Sequence, residues 1–316
     1  MGINVLSLFD GMSCGQIALK KLGIEIDNYY ASEIDKWAMK ISEKNFPNTI
    51  YLGDVREVKS MELHKIDLLI GGSPCQGFSF AGKGLNFEDP RSKLFFEFMR
   101  LLDETKPKYF LLENVKMKKE SQDVISKYLG LEPIEINSAL VSAQNRKRLY
   151  WTNIPKVDQP ENKGVNIRDI LEDSGDPFNY SSSGRGNGIV EGRYTVSDKS
   201  LTLTKSGYSN RSMTGVLDTR CLQVGQADMK GADIVRRIYS ILGKCPTLTT
   251  ISGGHQEKKI ALSENKWRKL TPLECERLQT VPDNYTEGVS KTQRYNMLGN
   301  GWTVDVIAHI LKGMQF

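Results

Sequence analysis

The sequence predicts an α/β protein with a doubly wound, mostly parallel sheet and a smaller second domain that is mostly β. The first half of the 316-residue chain alternates short apolar runs, typical of buried strands, with segments of helical periodicity. After about Pro155 the chain becomes rich in Gly, Ser, Asn and Thr. We therefore expect a first domain over residues 1–158, a second over 159–293, and a C-terminal helix over 294–316 that returns to the first.

The first four elements are two strands and two helices. "INVLSLF" (Ile3–Phe9) predicts a strand, and "GQIALKKLG" (Gly15–Gly23) spaces its apolar residues as a helix does. "NYYASE" (Asn28–Glu33) predicts the second strand, and a helical segment, residues 35–46, follows it. This alternation is typical of parallel sheets, whose ligands bind beyond the carboxyl ends of the strands.

The next elements continue the pattern. "IDLLIGG" predicts a buried strand, residues 66–72, and the segment over residues 89–107 predicts a helix that begins at an Asp-Pro start and ends before Pro107. "KYFLLEN" then predicts another strand. Near the C-terminus, Thr271 is a plausible N-cap, Pro272 stands at the first helical position and Glu274 completes a capping box. The last segment, "TVDVIAHILKGM", is apolar on one face and predicts a helix packed on the sheet.

Composition and charge are those of a soluble globular protein. Hydrophobic residues make up 39% and charged residues 26%, and no apolar run reaches the roughly 18 residues of a membrane span. The five cysteines are scattered and the chain has three histidines, which argues against a disulfide framework and a zinc site. We expect a reducing, cytoplasmic setting. The net charge of +5 is compatible with nucleic acid but mild.

Three predicted strand ends carry polar residues that could bind a ligand. In "LFDGMSCGQ", Gly11 and Gly15 allow a ligand to approach the backbone at a helix start. Glu33 ends the second strand, where an acid can hold the hydroxyls of a ribose. Asp54 could accept from an adenine amino group. The alternative is a set of tight turns with surface acids.

A cysteine and a carboxylate follow two further strands. Pro74 fixes the backbone before Cys75, so this thiol has a set position beside a Gly/Ser loop, which is unusual for an inert core cysteine. Glu113 ends the strand expected alongside, which suggests covalent catalysis with an acid. Arg146 and Arg148 would share one face of a strand and suit phosphates or a carbonyl oxygen. The alternative for the arginines is a solvated basic strand.

Together these segments resemble the DNA (cytosine-5)-methyltransferases. The motifs "GGSPCQGFSFAGKG", "KPKYFLLENV", "SAQNRKRLYW", "RKLTPLECERLQTVPDNY" and "LGNGWTVDVIAHI" stand in the family's order and spacing. The resemblance runs from Val5 to Ile310 and is interrupted by a variable stretch from about Asp158 to Gly243. It implies the S-adenosylmethionine-dependent methyltransferase fold and a bacterial or phage-encoded enzyme that methylates carbon 5 of cytosine in a specific sequence of double-stranded DNA. A monomer without membrane or metal partners is expected.

The resemblance implies a role for each catalytic residue. Cys75 would add as a thiolate to carbon 6 of a cytosine rotated out of the duplex. Glu113 would hold ring nitrogen 3 and the exocyclic amine, while Arg146 and Arg148 would steady the carbonyl oxygen and the nearby backbone. The loop from Gly77 to Arg91 would close over the base.

The resemblance also implies S-adenosyl-L-methionine as the methyl donor and assigns residues to it and to DNA. The donor residues are Phe9, Asp10, Gly11, Gly15, Glu33, Ile34, Asp54, Val55, Ser73, Pro74, Leu94, Asn300, Trp302 and Thr303. The DNA residues are Gln76, Ser79, Gln144, Thr247, Leu248, Gly253 and Gly254. The variable stretch would be the target-recognition region, and Leu201–Tyr208 within it is a candidate second reading element; the alternative there is a scaffold hairpin.

Two rival functions differ from this one in specific motifs. A catalytically silent regulatory homologue would lose Pro-Cys or Glu-Asn-Val, and this chain keeps both. The branch that methylates transfer RNA carries a Cys-Phe-Thr signature, which is absent here. The sequence leaves open which bases are read, and whether the role is restriction-modification, protection of a phage genome or the marking of genes.

Overall fold

A computed structural model of the chain describes residues 2–73, 90–172, 191–195, 220–250, 256–262 and 266–315, with backbone only for 90–92 and 191–195. The chain forms two compact units. The sheet unit comprises Met1–Asn137, Lys147–Pro160 and Val304–Phe316, and the barrel unit comprises Ser138–Arg146 and Glu161–Thr303.

The sheet unit is built on seven strands. They are β1 (Ile3–Leu8), β2 (Ile26–Ser32), β3 (Ile50–Tyr51), β4 (Leu68–Gly71), β5 (Tyr109–Val115), β6 (Ile134–Asn137) and β8 (Lys147–Thr152). Their order across the sheet is β3-β2-β1-β4-β5-β8-β6. The first five strands in this order run parallel, and β8 runs antiparallel to both of its neighbours. This confirms the predicted α/β class with a mostly parallel sheet.

Five α-helices lie in the described part of this unit. They are α1 (Cys14–Lys21), α2 (Lys36–Asn45), α3 (Pro90–Thr105), α4 (Lys119–Leu129) and α8 (Val304–Leu311). Asp35 caps α2 by accepting a hydrogen bond from the Trp37 N–H at 2.9 Å. Helix α8 forms as predicted, and its packing partner is helix α1. Among the helices that the structure describes, none has the length and apolarity needed to cross a bilayer.

The core of the sheet unit is formed by the central strands and helix α3. Large apolar side chains from β1, β4 and β5 are fully buried against α3, including Leu6, Leu69, Leu112 and Phe98. Burial of such side chains supplies the main stabilisation of a sheet that helices cover. Because β1, β2, β4 and β5 run parallel, their carboxyl ends lie at one edge of this packed sheet.

The barrel unit contains a small closed barrel. Its strands are β9 (Glu191–Thr195), β10 (Gln223–Ala227), β11 (Arg237–Tyr239), β13 (Lys259–Ala261) and β14 (Lys266–Lys269), in the order β10-β11-β13-β14-β9. Buried side chains of Val224, Ala227, Ile238 and Trp267 form its core. Outside the barrel, β7 (Gln144–Asn145) pairs in parallel with β12 (Cys245–Pro246).

The described residues of the barrel unit also form three α-helices: α5 (Asp233–Arg236), α6 (Pro272–Leu278) and α7 (Lys291–Asn300). Helix α6 begins as predicted, because Thr271 and Glu274 form a reciprocal capping box and Pro272 stands in the first turn. Gln279, which follows α6, donates to the Leu298 carbonyl of α7 at 2.7 Å.

The division into units differs from the expected boundaries in two places. Ser138–Arg146 belongs to the barrel unit, since β7 pairs with a strand about a hundred residues later. The return to the sheet unit comes at Val304, ten residues after the expected position, because α7 is tied to α6. The expected first boundary at 158/159 lies two residues from the observed change at Pro160.

Candidate functional site

The turn after β1 has an unusual backbone. Phe9, Gly11 and Ser13 adopt positive φ angles of 58°, 58° and 61°. Only glycine adopts this region freely, so two of the three residues are held there by their surroundings. A Cβ added at Gly11 would meet no atom within 4 Å in the part of the chain that the structure describes. The turn thus presents an open backbone surface at the strand end.

Glu33 stands beside this turn at the end of β2. Its carboxylate accepts hydrogen bonds from the backbone N–H groups of Gly11 at 2.7 Å and of Ile34 and Asp35 at 2.8 Å each. These bonds fix the carboxylate, and its two oxygens keep lone pairs for further donors. The neighbouring Ile34 is 75% exposed, which is unusual for a large apolar residue on an otherwise polar rim.

A third turn, around Asp54, adjoins the first two. Ser32 donates from its hydroxyl to the Gly53 carbonyl at 2.8 Å. The Asp54 carboxylate caps the following 3-10 turn and forms an ion pair with Arg56, whose hydrogen bonds lower the pKa of Asp54 to about 2. This carboxylate is therefore engaged locally, whereas the sequence alone suggested an acid that could accept from an adenine amino group.

Asp10 lies beneath these turns and faces the interior. The Asp10 carboxylate accepts from the hydroxyls of Ser7 at 2.6 Å, Tyr29 at 2.7 Å and Ser13. Burial raises the pKa of Asp10 to about 6, against the lowering effect of these three hydroxyls. Gly15, in α1, is buried as well, and a Cβ there would lie 2.3 Å from Ile70 and 3.0 Å from the Tyr29 hydroxyl. The structure thus gives Gly15 a packing role.

Three further residues expected near the donor belong to the same unit. Val55 is buried and begins the 3-10 turn, and Leu94, half-buried in α3, packs on the core. Ser73, buried just after β4, accepts from the Asn114 side chain through its carbonyl and its hydroxyl at 3.3 Å each. Pro74 follows Ser73 and lies outside the described residues.

The end of β5 carries a buried ion pair. Glu113 and Arg148 stand on the adjacent strands β5 and β8, and the Arg148 Nε lies 2.9 Å from the Glu113 carboxylate. The contact is electrostatic, since this Nε makes no hydrogen bond of good geometry to any described residue. An arginine beside a carboxylate at a strand end suits a polar heterocycle. Cys75, Gln76 and Ser79 lie outside the described residues.

Arg146 is used differently from Arg148. The chain leaves the strand between β7 and β8, so the expected single strand face with both arginines does not form. The Arg146 guanidinium is buried and donates to the carbonyls of Leu248 at 3.2 Å, Gly299 at 3.3 Å and Gly301 at 2.9 Å. These bonds hold segments of the barrel unit together.

The expected DNA residues of the barrel unit lie close to Arg146. Thr247, half-buried, donates to the Asn145 carbonyl at 2.8 Å, and Leu248 is buried. The Gln144 side chain is fully buried, and neither of its polar atoms has a hydrogen-bond partner among the described residues. Burial of Gln144 gives no support to direct contact with DNA. Gly253, Gly254 and Leu201–Tyr208 lie outside the described residues.

The last three expected donor residues also belong to the barrel unit. Asn300 is exposed at the end of α7, whereas Trp302 and Thr303 are buried. The Thr303 hydroxyl donates to the Gln279 side chain at 2.8 Å and accepts from Ser138 at 2.9 Å. Thr303 is therefore part of an internal polar network.

Comparison with known proteins identifies the family. The model of the C-5 cytosine-specific DNA methylases matches residues 3–130 and 136–315. The chain belongs to this family. It is a DNA (cytosine-5)-methyltransferase, and the polar strand ends of the sheet unit are its candidate active site.

Individual relatives agree with this membership. The chain is 30% identical over 327 residues to the type II methyltransferase M1.ScrFI of Lactococcus lactis subsp. cremoris, covering 98% of this chain and 77% of the relative. It is 28% identical over 329 residues to the type II methyltransferase M.HhaI of Haemophilus parahaemolyticus, covering 98% and 93%. A putative DNA modification methyltransferase from an Escherichia coli prophage shares the fold, with a TM-score of 0.63, 21% identity and coverage of 99% and 98%.

Some residues of this methyltransferase site were not assigned from the sequence. Ser7, Ser13 and Tyr29 surround Asp10, and Asn114 holds the residue before Pro74. A tyrosine within a buried strand needs a partner for its hydroxyl, which was the one available signal for Tyr29. No group of three or more metal-ligating side chains is arranged for a metal ion among the described residues.

Proposed function

We propose that this methyltransferase transfers a methyl group from S-adenosylmethionine to carbon 5 of a cytosine within a specific sequence of duplex DNA. The target base would be rotated out of the helix and bonded transiently to Cys75. The observation that carries the proposal is the buried Glu113–Arg148 pair at the end of β5, within a chain that belongs to the cytosine-5 family.

The strand ends of the sheet unit fit the proposed methyl donor. Gly11 and Gly53 have positive φ angles and open space where a side chain would stand, and Glu33 offers a fixed carboxylate between them. A ribose needs a carboxylate for its hydroxyls, and an adenine needs an apolar surface such as exposed Ile34. The donor supplies an electrophilic methyl group when it is bound.

The remaining chemistry falls to side chains of this chain. The Cys75 thiolate would form a bond to carbon 6 of cytosine, and the electron pair of the 5,6 double bond would make carbon 5 nucleophilic. Glu113 would hold ring nitrogen 3 and the exocyclic amine and share a proton there. After methylation a base takes the carbon 5 proton, the double bond re-forms and Cys75 leaves as a thiolate.

The two arginines would then have separate duties. Arg148 beside Glu113 would orient the carboxylate and face the cytosine carbonyl oxygen. Arg146 has its donors committed to three backbone carbonyls, so we assign it to the scaffold of the barrel unit. That unit would carry target recognition, with Thr247 and its neighbours setting specificity.

Transfer of labelled methyl groups tests this function. Duplex DNA should accept label at cytosine, and transfer RNA should not. Cys75→Ser should reduce turnover to background while donor affinity is retained, because only the nucleophile is lost. Cys221→Ser, a change at a half-buried free cysteine, is the matched control and should stay active.

A covalent trap separates the bond from the transfer. DNA with 5-fluorocytosine at the target site should become bonded to the wild-type enzyme and not to Cys75→Ser. Methylation without any adduct would overturn the covalent scheme. Label on transfer RNA alone would overturn the proposal that duplex DNA is the substrate.

A further inference from the structure

The turn after β1 requires support from below. Phe9 and Ser13 are not glycines, yet both hold the left-handed backbone conformation on either side of Gly11. Such conformations persist only where the surrounding structure fixes them, and they cluster at functional sites. The support should therefore be found among side chains that contact this turn.

The buried carboxylate of Asp10 provides that support. It accepts three hydrogen bonds, from Ser7 in β1, Ser13 at the end of the turn and Tyr29 in β2. Asp10 is 9% exposed, and no cationic side chain pairs with it in the part of the chain that the structure describes. Three neutral hydroxyls from three places in the chain thus converge on one charge.

The network extends outward from Ser13. Its hydroxyl lies 2.5 Å from that of Ser42 in α2, and Gln16 in α1 donates to Thr49 at 2.7 Å. The hydrogen atom in place of a side chain at Gly15 leaves room for the Tyr29 hydroxyl, which a Cβ would approach to 3.0 Å. Helices α1 and α2 are thereby joined to the turn through polar side chains that are buried.

Burying the charged carboxylate of Asp10 costs folding free energy, which a purely structural role would not require. Burial raises its pKa to about 6, and the like charge of Glu33 adds to this effect. A neutral amide of the same shape would avoid the burial of charge. The carboxylate of Asp10 stands under the turn that contains Gly11. The Gly11 N–H donates to Glu33 at 2.7 Å, and this bond links the turn to the strand ends where we propose that the donor binds.

We propose that Asp10 is a positioning residue for methyl-donor binding. Its carboxylate holds the turn from Phe9 to Ser13 so that the open face of Gly11 and the carboxylate of Glu33 stay aligned at the strand ends. The Asp10 side chain itself faces inward and acts through these two residues. The proposal rests on the proposed function, because it takes the donor to bind at this edge.

Asp10→Asn tests the proposal, with S-adenosylmethionine binding measured by calorimetry alongside the melting temperature. We expect affinity about tenfold weaker, the effect of losing charge-assisted hydrogen bonds, and a melting temperature equal to or above that of the wild type. Tyr29→Phe keeps the charge and loses one anchor, so a smaller loss of affinity is expected. Ser126→Ala is the control, since it removes the partner of Trp151, three strands away, and should lower the melting temperature only.

The pH dependence of binding adds a readout that a structural role would not change. Wild-type affinity should weaken by up to about tenfold between pH 7.5 and pH 5, with its midpoint near the Asp10 pKa of about 6. Asp10→Asn should lack this step. Among the described residues, the other titratable groups that face Asp10 are Glu33 and the phenols of Tyr29 and Tyr51, and all three remain in the variant.

The outcomes are distinct. Failure of the wild type to bind the donor would overturn the proposed function, and with it the proposed role of Asp10. Wild-type binding with unchanged affinity in Asp10→Asn would overturn the positioning role alone. If Asp10→Asn lowers both the affinity and the melting temperature while the pH step is retained, Asp10 belongs to the scaffold and the positioning role is overturned.

Discussion

The two units of this methyltransferase bury carboxylates in different ways. In the sheet unit, the Asp10 carboxylate accepts its side-chain hydrogen bonds from three hydroxyl groups, and no cationic side chain pairs with it among the described residues. In the barrel unit, Glu274 is fully buried and receives both ends of the Arg268 guanidinium, at 2.7 and 2.6 Å. Glu276, also fully buried, pairs with Arg294 at 2.9 Å and accepts from the Thr286 N–H at 2.8 Å.

The difference indicates which carboxylate serves the fold and which serves the turn. A guanidinium offsets the cost of burying Glu274 and fixes the start of α6 at the same time. Asp10 has no such partner in the described part of the chain, and its pKa rises from the ordinary 3.8 to about 6. That rise corresponds to roughly 3 kcal/mol of lost stability at neutral pH. Destabilising features of this kind are expected at functional sites, which agrees with the positioning role proposed for Asp10.

The largest expected effect comes from breaking the barrel-unit pair. Arg268→Met leaves Glu274 buried without its guanidinium, so the free energy of unfolding should fall by about 3–5 kcal/mol. Urea denaturation measures this change. Arg237→Met, which removes an exposed ion pair with Asp233, is the control and should cost less than about 1 kcal/mol. An equal fall in the free energy of unfolding in the two variants would show that burial does not determine how much these ion pairs contribute to stability.

Glu33 sharpens the comparison, because its half-exposed carboxylate is held by backbone N–H groups at the carboxyl end of β2, where we propose that the methyl donor binds. Glu33→Ala should weaken S-adenosylmethionine binding by roughly ten- to a hundredfold, the value of a charge-assisted hydrogen bond of about 1.5–3 kcal/mol. Calorimetry measures the affinity, and Glu43→Ala, an exposed acid on α2, is the control. Unchanged affinity in Glu33→Ala would remove this residue from the donor site.

Local features of the fold were predictable from the sequence. The strand ending at Leu8 and the capping box of Thr271 and Glu274 depend on neighbours within a few residues, and both form as predicted. Glu33 was placed correctly at a strand end for the same reason. Its bond to Gly11 follows from the parallel pairing of β1 with β2.

Features that depend on distant contacts were not predictable. Asp10 was expected to line the donor pocket, but its side chain turns inward because Ser7 and Tyr29 supply donors there. Ser138–Arg146 joins the barrel unit through a two-residue strand whose partner, Cys245–Pro246, is remote in the sequence. Such short pairings leave no periodic pattern in the sequence. The role of Cys75 stays a prediction.

The unfolding free energies of the wild type and Asp10→Asn, compared at pH 7 and pH 5 by urea denaturation, test the central difference most directly. Because the native pKa of Asp10 is raised, folded protein binds this proton more tightly than unfolded protein, so wild-type stability gains as pH falls through about 6 toward 3.8. The variant lacks the group, and contributions from all other residues cancel in the comparison. We predict that the stability of the wild type relative to Asp10→Asn rises by about 1 kcal/mol from pH 7 to pH 5. A difference that stays constant, or one that moves against the wild type on acidification, would contradict the account.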